Sequence, residues 1–188
     1  NLLIILLTMM LLRFVSCNFP GQDFFSFFIL TTGTVLIAAA GNIVNDLMDL
    51  SVDLINKPER VIVDRYIKRK NALFCYIFFN CTAIILSLVF LDLLLTVVFI
   101  SSVFLLFIYS YKLKKLPLAG NLTVAFLSAL VVLEVLWFQY DHLSYYWQIH
   151  LYLYTAFAFY TTFAREIVKD IEDIRGDEKF NCRTLPVV

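Results

Sequence analysis

The sequence predicts an all-α, polytopic transmembrane helical bundle, and three observations carry that expectation. The chain of 188 residues is 61% hydrophobic and 16% charged, with a mean hydropathy of +0.83. A soluble core cannot absorb that much apolar side chain. The apolar residues fall into six runs, most of them close to the roughly 20 residues that span a bilayer. The Lys and Arg residues collect in every second connection between those runs, as the positive-inside rule requires of helices that alternate direction.

The first run, Leu2 to Ser16, reads as helix one. The second, Phe24 to Gly41, continues as helix through Asn42, Asn45, Asp46, Asp49 and Asp53 and is broken near Pro58, which cannot extend the hydrogen-bond ladder. Ala72 to Leu91 and Leu93 to Tyr109 form the third and fourth. Asp92 alone separates them, so a very tight turn is expected, with one long kinked segment as the weaker alternative. The fifth run is Leu118 to Phe138, and the sixth is Trp147 to Ala164.

Formal net charge is zero, but its distribution is uneven. Lys57, Arg60, Arg65, Lys68, Arg69 and Lys70 follow the second helix; Lys112, Lys114 and Lys115 follow the fourth; Arg165, Lys169, Arg175, Lys179 and Arg183 end or follow the sixth. Only Arg13 falls elsewhere. The basic face is therefore read as cytoplasmic and the chain as an integral protein of the cytoplasmic membrane. Lys68, Arg69 and Lys70 are best read as topogenic charges that meet anionic lipid. Membrane lipids are thus expected partners and nucleic acid is not.

Several features have a plain reading. Cys17, Cys75, Cys81 and Cys182 lack CxxC or zinc spacing and serve as small apolar residues. The sequon at Asn80 lies inside a helix and that at Asn121 next to the basic face, so neither reads as a glycosylation site. Tyr145, Tyr146, Trp147, His142 and His150 suit an interfacial belt. Most of the 19 Phe and 10 Tyr, including Phe24, Phe25, Phe27, Phe28, Tyr152, Tyr154 and Tyr160, face lipid or pack helices. Glu134, inside the fifth run, is either paired and protonated or functional.

Two acidic rows remain. Asp46/Asp49/Asp53 and Asp170/Asp173/Asp177 share the spacing i, i+3, i+7, which lines carboxylates along one helix face. Desolvating so much negative charge is costly, so a bound cation is expected. Amide and carboxylate oxygens suit Mg²⁺, which is usually held by one or two carboxylates together with substrate phosphates. The bland alternative is a pair of solvated helix ends. Two rows on one membrane side favour the two halves of a site. Arg60, just beyond the first row, has the fork geometry that grips phosphate oxygens.

On these motifs the chain resembles the UbiA superfamily of intramembrane prenyltransferases. NDxxDxxxD is present as Asn45 to Asp53 and KDxxDxxGD as Lys169 to Asp177; YSYK, Tyr109 to Lys112, looks like the family's YxxK element, and Thr184-Leu185-Pro186 like its usual continuation. Val61, Glu178 and Asn181 stand where many relatives have Pro, Arg and Gly. The resemblance implies a single UbiA-like domain over residues 1–188, holding six helices of an expected nine and truncated at both ends, and so inactive alone. The wording at Asn1, at Ile55 to Arg65 and at Arg165 to Asp177 looks most like the geranylgeranylglycerol-phosphate geranylgeranyltransferase branch.

The resemblance and the residues together imply prenyl transfer from a prenyl diphosphate to a lipid-soluble or phosphorylated acceptor. Asn45, Asp49, Asp173 and Asp177 are expected as metal ligands, with Asp46, Asp53 and Asp170 as further members. Asn42, Arg60, Lys112, Arg165 and Lys169 are expected to bind substrate, and Tyr109 to orient the acceptor or shield an allylic cation with its ring. Asp49, Asp173 and Tyr109 carry the catalytic expectation. A cation-coupled transporter is the alternative, although transporters place such acids near the midplane. A phosphotransferase of the CDP-alcohol type is disfavoured by Leu47, Met48, Ser51 and Val52 between the acids.

Overall fold

Each apolar run forms a helix. The computed structural model describes residues 2–16, 24–56, 59 and 61–179, giving the backbone alone at 52, 55, 56 and 173–179. The helices are α1 (Leu2–Ser16), α2 (Phe24–Asn56), α3 (Arg69–Phe90), α4 (Leu93–Tyr111), α5 (Ala119–Gln139) and α6 (Tyr145–Lys179). Short 3-10 turns at Leu113–Lys115 and Tyr140–His142 flank α5. Four helical segments are long and apolar enough to cross a membrane: Phe24–Ser51, Arg69–Phe90, Leu93–Tyr111 and Ala119–His142. The shorter α1 is apolar throughout, whereas α6 mixes Gln148, His150 and several Tyr and Thr into its apolar part.

Asp92 settles the tight connection. It caps α4, accepting a hydrogen bond from Leu95 N at 2.8 Å, while Leu91 N closes α3 on Ser87 O at 2.9 Å. The side-chain cap satisfies a helix-end amide that would otherwise be orphaned. The two segments are separate helices, and the kinked alternative falls. Thr96 reinforces the corner by donating to Ser87 O at 3.1 Å.

α2 is the hub, touching α1, α3, α4 and α6, while α5 packs on α6, α4 and α1. Phe25 at the start of α2 meets Phe90 at the end of α3, ring centroids 5.3 Å apart, so the pair is antiparallel. The largest core cluster includes Met9, Phe27, Leu30, Ile37, Ala83, Leu95, Phe99 and Val135. Phe27 is wholly buried there, whereas Phe24, Phe25 and Phe28 are exposed, as are Tyr152, Tyr154 and Tyr160. Small residues let α4 approach α2, as is usual where lipid removes the hydrophobic drive between helices. A Cβ at Gly33 would overlap the ring of Phe99, and one at Gly41 would lie 2.9 Å from Leu106 Cδ2.

At the basic end, the α2–α3 connection folds back through a bridge between Val63 and Ile67. Asp64 adopts φ 67°, and its carboxylate meets Arg69 Nε at 2.6 Å. Val61 and Val63 turn inward. Cys75 and Cys81 are free thiols of α3; Cys17 and Cys182 lie outside the described residues.

Gly33→Leu forces α4 away from α2 and is expected to cost about 1–3 kcal/mol by overpacking. Phe99→Leu in that background should recover part of the loss. An unfolding midpoint unmoved by Gly33→Leu would show that the contact is not close-packed.

Candidate functional site

The site is built where the end of α2, the α4–α5 turn and the end of α6 converge. α2 is 33 residues long, about 50 Å at 1.5 Å per residue, so its polar last turns extend past the hydrocarbon core. On them, Asn45, Asp49 and Asp53 are half-buried, while Asn42 and Asp46 are exposed. Lys114 reaches across from the 3-10 turn. Its Nζ lies 2.5 Å from Asp49 Oδ1 and 3.4 Å from Asn45 Oδ1, and the paired side chains are only 12% and 20% exposed. Charge-assisted contact in so enclosed a place is far stronger than a surface pair.

The backbone of the α4–α5 linker is shaped for this reach. A Cβ on Gly120 would sit 2.9 Å from Lys114 Cα and 3.2 Å from Leu113 O, so glycine lets the turn lie flat on α5. Leu118 takes φ 62° and Ala119 N donates to Pro117 O at 2.7 Å. A non-glycine residue in that region costs about 1–3 kcal/mol, a strain common beside functional sites.

The second row is held by a different donor. Asn121 in the first turn of α5 is buried and donates through Nδ2 to Asp170 Oδ2 at 2.9 Å. Glu166, one turn before Asp170, is buried with Arg165 Nη2 at 2.7 Å and Lys169 Nζ at 3.8 Å. Thr162 donates to Ser128 Oγ at 3.0 Å and ties α6 to α5 below them. Tyr109, half-buried at the end of α4, lies within electrostatic reach of Glu166, Asp49, Asp170 and Arg165. It thus has members of both rows within that reach.

This arrangement unites Asn45, Asp49, Tyr109, Arg165, Lys169 and Asp170, all singled out by sequence. Asp173 and Asp177 lie on the final turns of α6 with side chains outside the described set, and Arg60 lies outside the described residues altogether. Lys112 is exposed at the end of α4, and it is Lys114 that meets the acids. Sequence reasoning passed over Lys114, Asn121 and Glu166. Glu166 had a signal, since it extends the second row back by one helical turn. Lys114 had none that separated it from Lys112 and Lys115.

Among the described residues no three His, Cys, Asp or Glu side chains are grouped closely enough to hold a metal. The donor chemistry nevertheless fits a hard divalent cation, since Asn45, Asp49 and Asp170 offer amide and carboxylate oxygens. Lys114 already supplies positive charge to two of those three.

A model of the UbiA prenyltransferase family matches residues 2–188. The chain belongs to this family. It is 39% identical over 155 residues to digeranylgeranylglyceryl phosphate synthase of Methanobrevibacter smithii, covering 80% of the chain and 53% of that relative. It thus spans about half the length of the curated relatives it matches. A solved structure from work on digeranylgeranylglyceryl phosphate synthase in membranes superposes with a TM-score of 0.74 at 24% identity, over 98% of this chain and 63% of the other. The apo structure of a UbiA homologue from Aeropyrum pernix K1 gives 0.73 at 17%, over 99% and 67%. These two share the fold. Membership in this family and the four apolar spans make the chain an integral membrane protein. UbiA enzymes are generally metal-dependent, in line with the oxygen donors here.

Lys114→Met leaves Asp49 enclosed without its countercharge and is expected to destabilise the protein by about 1–3 kcal/mol. Asp49→Asn added to it should recover most of that loss, while Lys115→Met should have little effect. Thermal unfolding in detergent of the wild type, these three variants and Asp49→Asn alone checks this, and additive losses for the two site changes would contradict the pairing.

Proposed function

We propose that this chain forms the donor side of an intramembrane prenyltransferase that moves a prenyl group, geranylgeranyl by preference, from its diphosphate to a membrane-associated acceptor. The observation that carries the reading is the convergence of two acidic rows on Tyr109, with Lys114 on one row and Arg165 and Lys169 beside the other. Such alternating charge at the end of a greasy bundle is complementary to a ligand with a diphosphate head and a hydrocarbon tail.

Asn45, Asp49, Asp173 and Asp177, with Asp46, Asp53 and Asp170 around them, would hold Mg²⁺. When bound, that ion would neutralise charge developing on the departing pyrophosphate. Lys114, Lys169, Arg165 and Arg60 would grip phosphate oxygens, with the exposed Lys112 and Asn42 as further substrate-binding groups. Positive side chains aimed at the leaving group stabilise charge that appears only in the transition state. The carbon–oxygen bond to the diphosphate breaks, an allylic cation remains, and an acceptor oxygen bonds to its terminal carbon and loses a proton. The ring of Tyr109 would shield that cation.

A phosphorylated, lipid-soluble acceptor fits best. Arg165 is 60% exposed at its side chain and keeps a free flank beyond Glu166, and relatives of this chain are named for a glyceryl phosphate product. We further propose that the basic end faces the cytoplasm, in the cytoplasmic membrane, as the positive-inside rule supports. Helices beyond this chain complete the acceptor side, a reading supported by its 53% span of the Methanobrevibacter relative.

The full-length protein with labelled geranylgeranyl diphosphate, Mg²⁺ and a panel of acceptors tests the proposal. Asp49→Asn and Asp173→Asn should each lower turnover about a hundredfold or more. Pyrophosphate release that needs neither metal nor these carboxylates would refute it, and residues 1–188 alone should show no robust turnover.

A further inference from the structure

Away from the acidic rows, α5 carries Glu134, 3% exposed within the apolar part of the bundle. A carboxyl group in that setting is expensive to keep and is a functional candidate by default. Its Oε2 lies 2.7 Å from Thr34 Oγ1 on α2. The same hydroxyl lies 3.0 Å from Leu30 O, one turn back along its own helix. A hydroxyl has a single proton. Threonine inside a helix commonly spends it on the carbonyl four residues earlier. Thr34 is placed to donate to either oxygen; with its proton on Leu30 O, the 2.7 Å contact is made by a proton from the Glu134 carboxyl.

The contact joins two helices that otherwise face each other through long side chains. Phe27 of α2 meets Phe138 of α5 with ring centroids 5.7 Å apart, and Ile37 and Val135 share a core cluster. Apolar contacts of this kind are non-directional, whereas a hydrogen bond fixes its two partners at one height along the helices. That register matters at the basic end, where the turn leading into α5 must set Lys114 against Asn45 and Asp49 of α2. Thr34 and Asp49 are separated by about 22 Å along α2 at 1.5 Å per residue. A slip of a single residue would carry Lys114 off both partners.

We infer that Glu134 is held as a neutral carboxylic acid donating to Thr34, and that this bond is a positioning device setting the register of α5 against α2 and so the seating of Lys114 on Asp49. The inference rests on the prenyl-transfer reading only for what the register serves. In the full-length protein reconstituted in nanodiscs, the infrared spectrum should contain a protonated carboxylic acid band that Glu134→Gln removes. Glu134→Gln, whose amide can still donate to Thr34, should keep near-normal Mn²⁺ affinity and KM for geranylgeranyl diphosphate. Glu134→Leu and Thr34→Val should each weaken both by about three- to fifteen-fold, the range of single intramembrane hydrogen bonds. The kcat should change less, and the double variant should be no worse than either single one.

An ionised carboxylate band at Glu134 overturns the inference. So do single variants that lower the melting temperature while leaving Mn²⁺ affinity and KM unchanged, since the bond would then be merely structural. Should Glu134→Leu not fold, the smaller change Thr34→Val decides alone. If the wild type transfers no prenyl group, the infrared and Mn²⁺ results still judge this inference, and the failure belongs to the proposed activity.

Discussion

A carboxylate at the edge of a hydrocarbon slab must find positive charge or a hydrogen-bond donor, and the basic end of this bundle is organised by that need. Asp49 takes the ammonium of Lys114, Asp170 the amide of Asn121, and Glu166 the two cations beside it in α6. Each solution draws on a different element. Together they bind the end of α2, the α4–α5 turn and the end of α6 into one polar cap around Tyr109.

The rest of the architecture makes those pairings reachable. Glycines at 33 and 41 let α4 lie close on α2, which brings the start of the α4–α5 turn beside the first acidic row. Gly120 then lets the turn rest on α5, and Leu118 absorbs backbone strain so that α5 can begin at once. Strain of that kind persists only where neighbouring contacts over-determine it. At the opposite end the demands are simpler. Asp92 caps α4, and the rings of Tyr146, Trp147 and His150 cluster at the start of α6, as an interfacial belt requires.

Much of this was legible in the residues. Apolar runs located α3, α4 and α5 to within a few positions, because the bilayer leaves no other way to satisfy a spanning backbone, whereas α2 and α6 run on well past their apolar parts into the acidic rows. The acidic rows and their family resemblance pointed to the site, because a helix puts i, i+3 and i+7 on one face whatever its surroundings. Asp92 was ambiguous only because capping geometry is not visible in a letter. The choice among Lys112, Lys114 and Lys115 was not legible at all. It depends on the 3-10 turn, whose three-residue period aims successive side chains in different directions. Asn121 was read as a sequon without use and Glu134 as undecided, since both owe their roles to partners far along the chain.

By itself, then, the sequence determined the class of protein, which stretches become helices, and the type of chemistry its two acidic rows can support. These follow from local periodicity and from the uniform demands of lipid. Only the tertiary structure decided which cation meets which carboxylate, that Asn121 belongs to the second row, and that Thr34 and Glu134 join α2 to α5. Those are facts of distance between helices remote in sequence, and hydrogen bonds and ion pairs decay over a few ångströms while sequence patterns record only position along one chain.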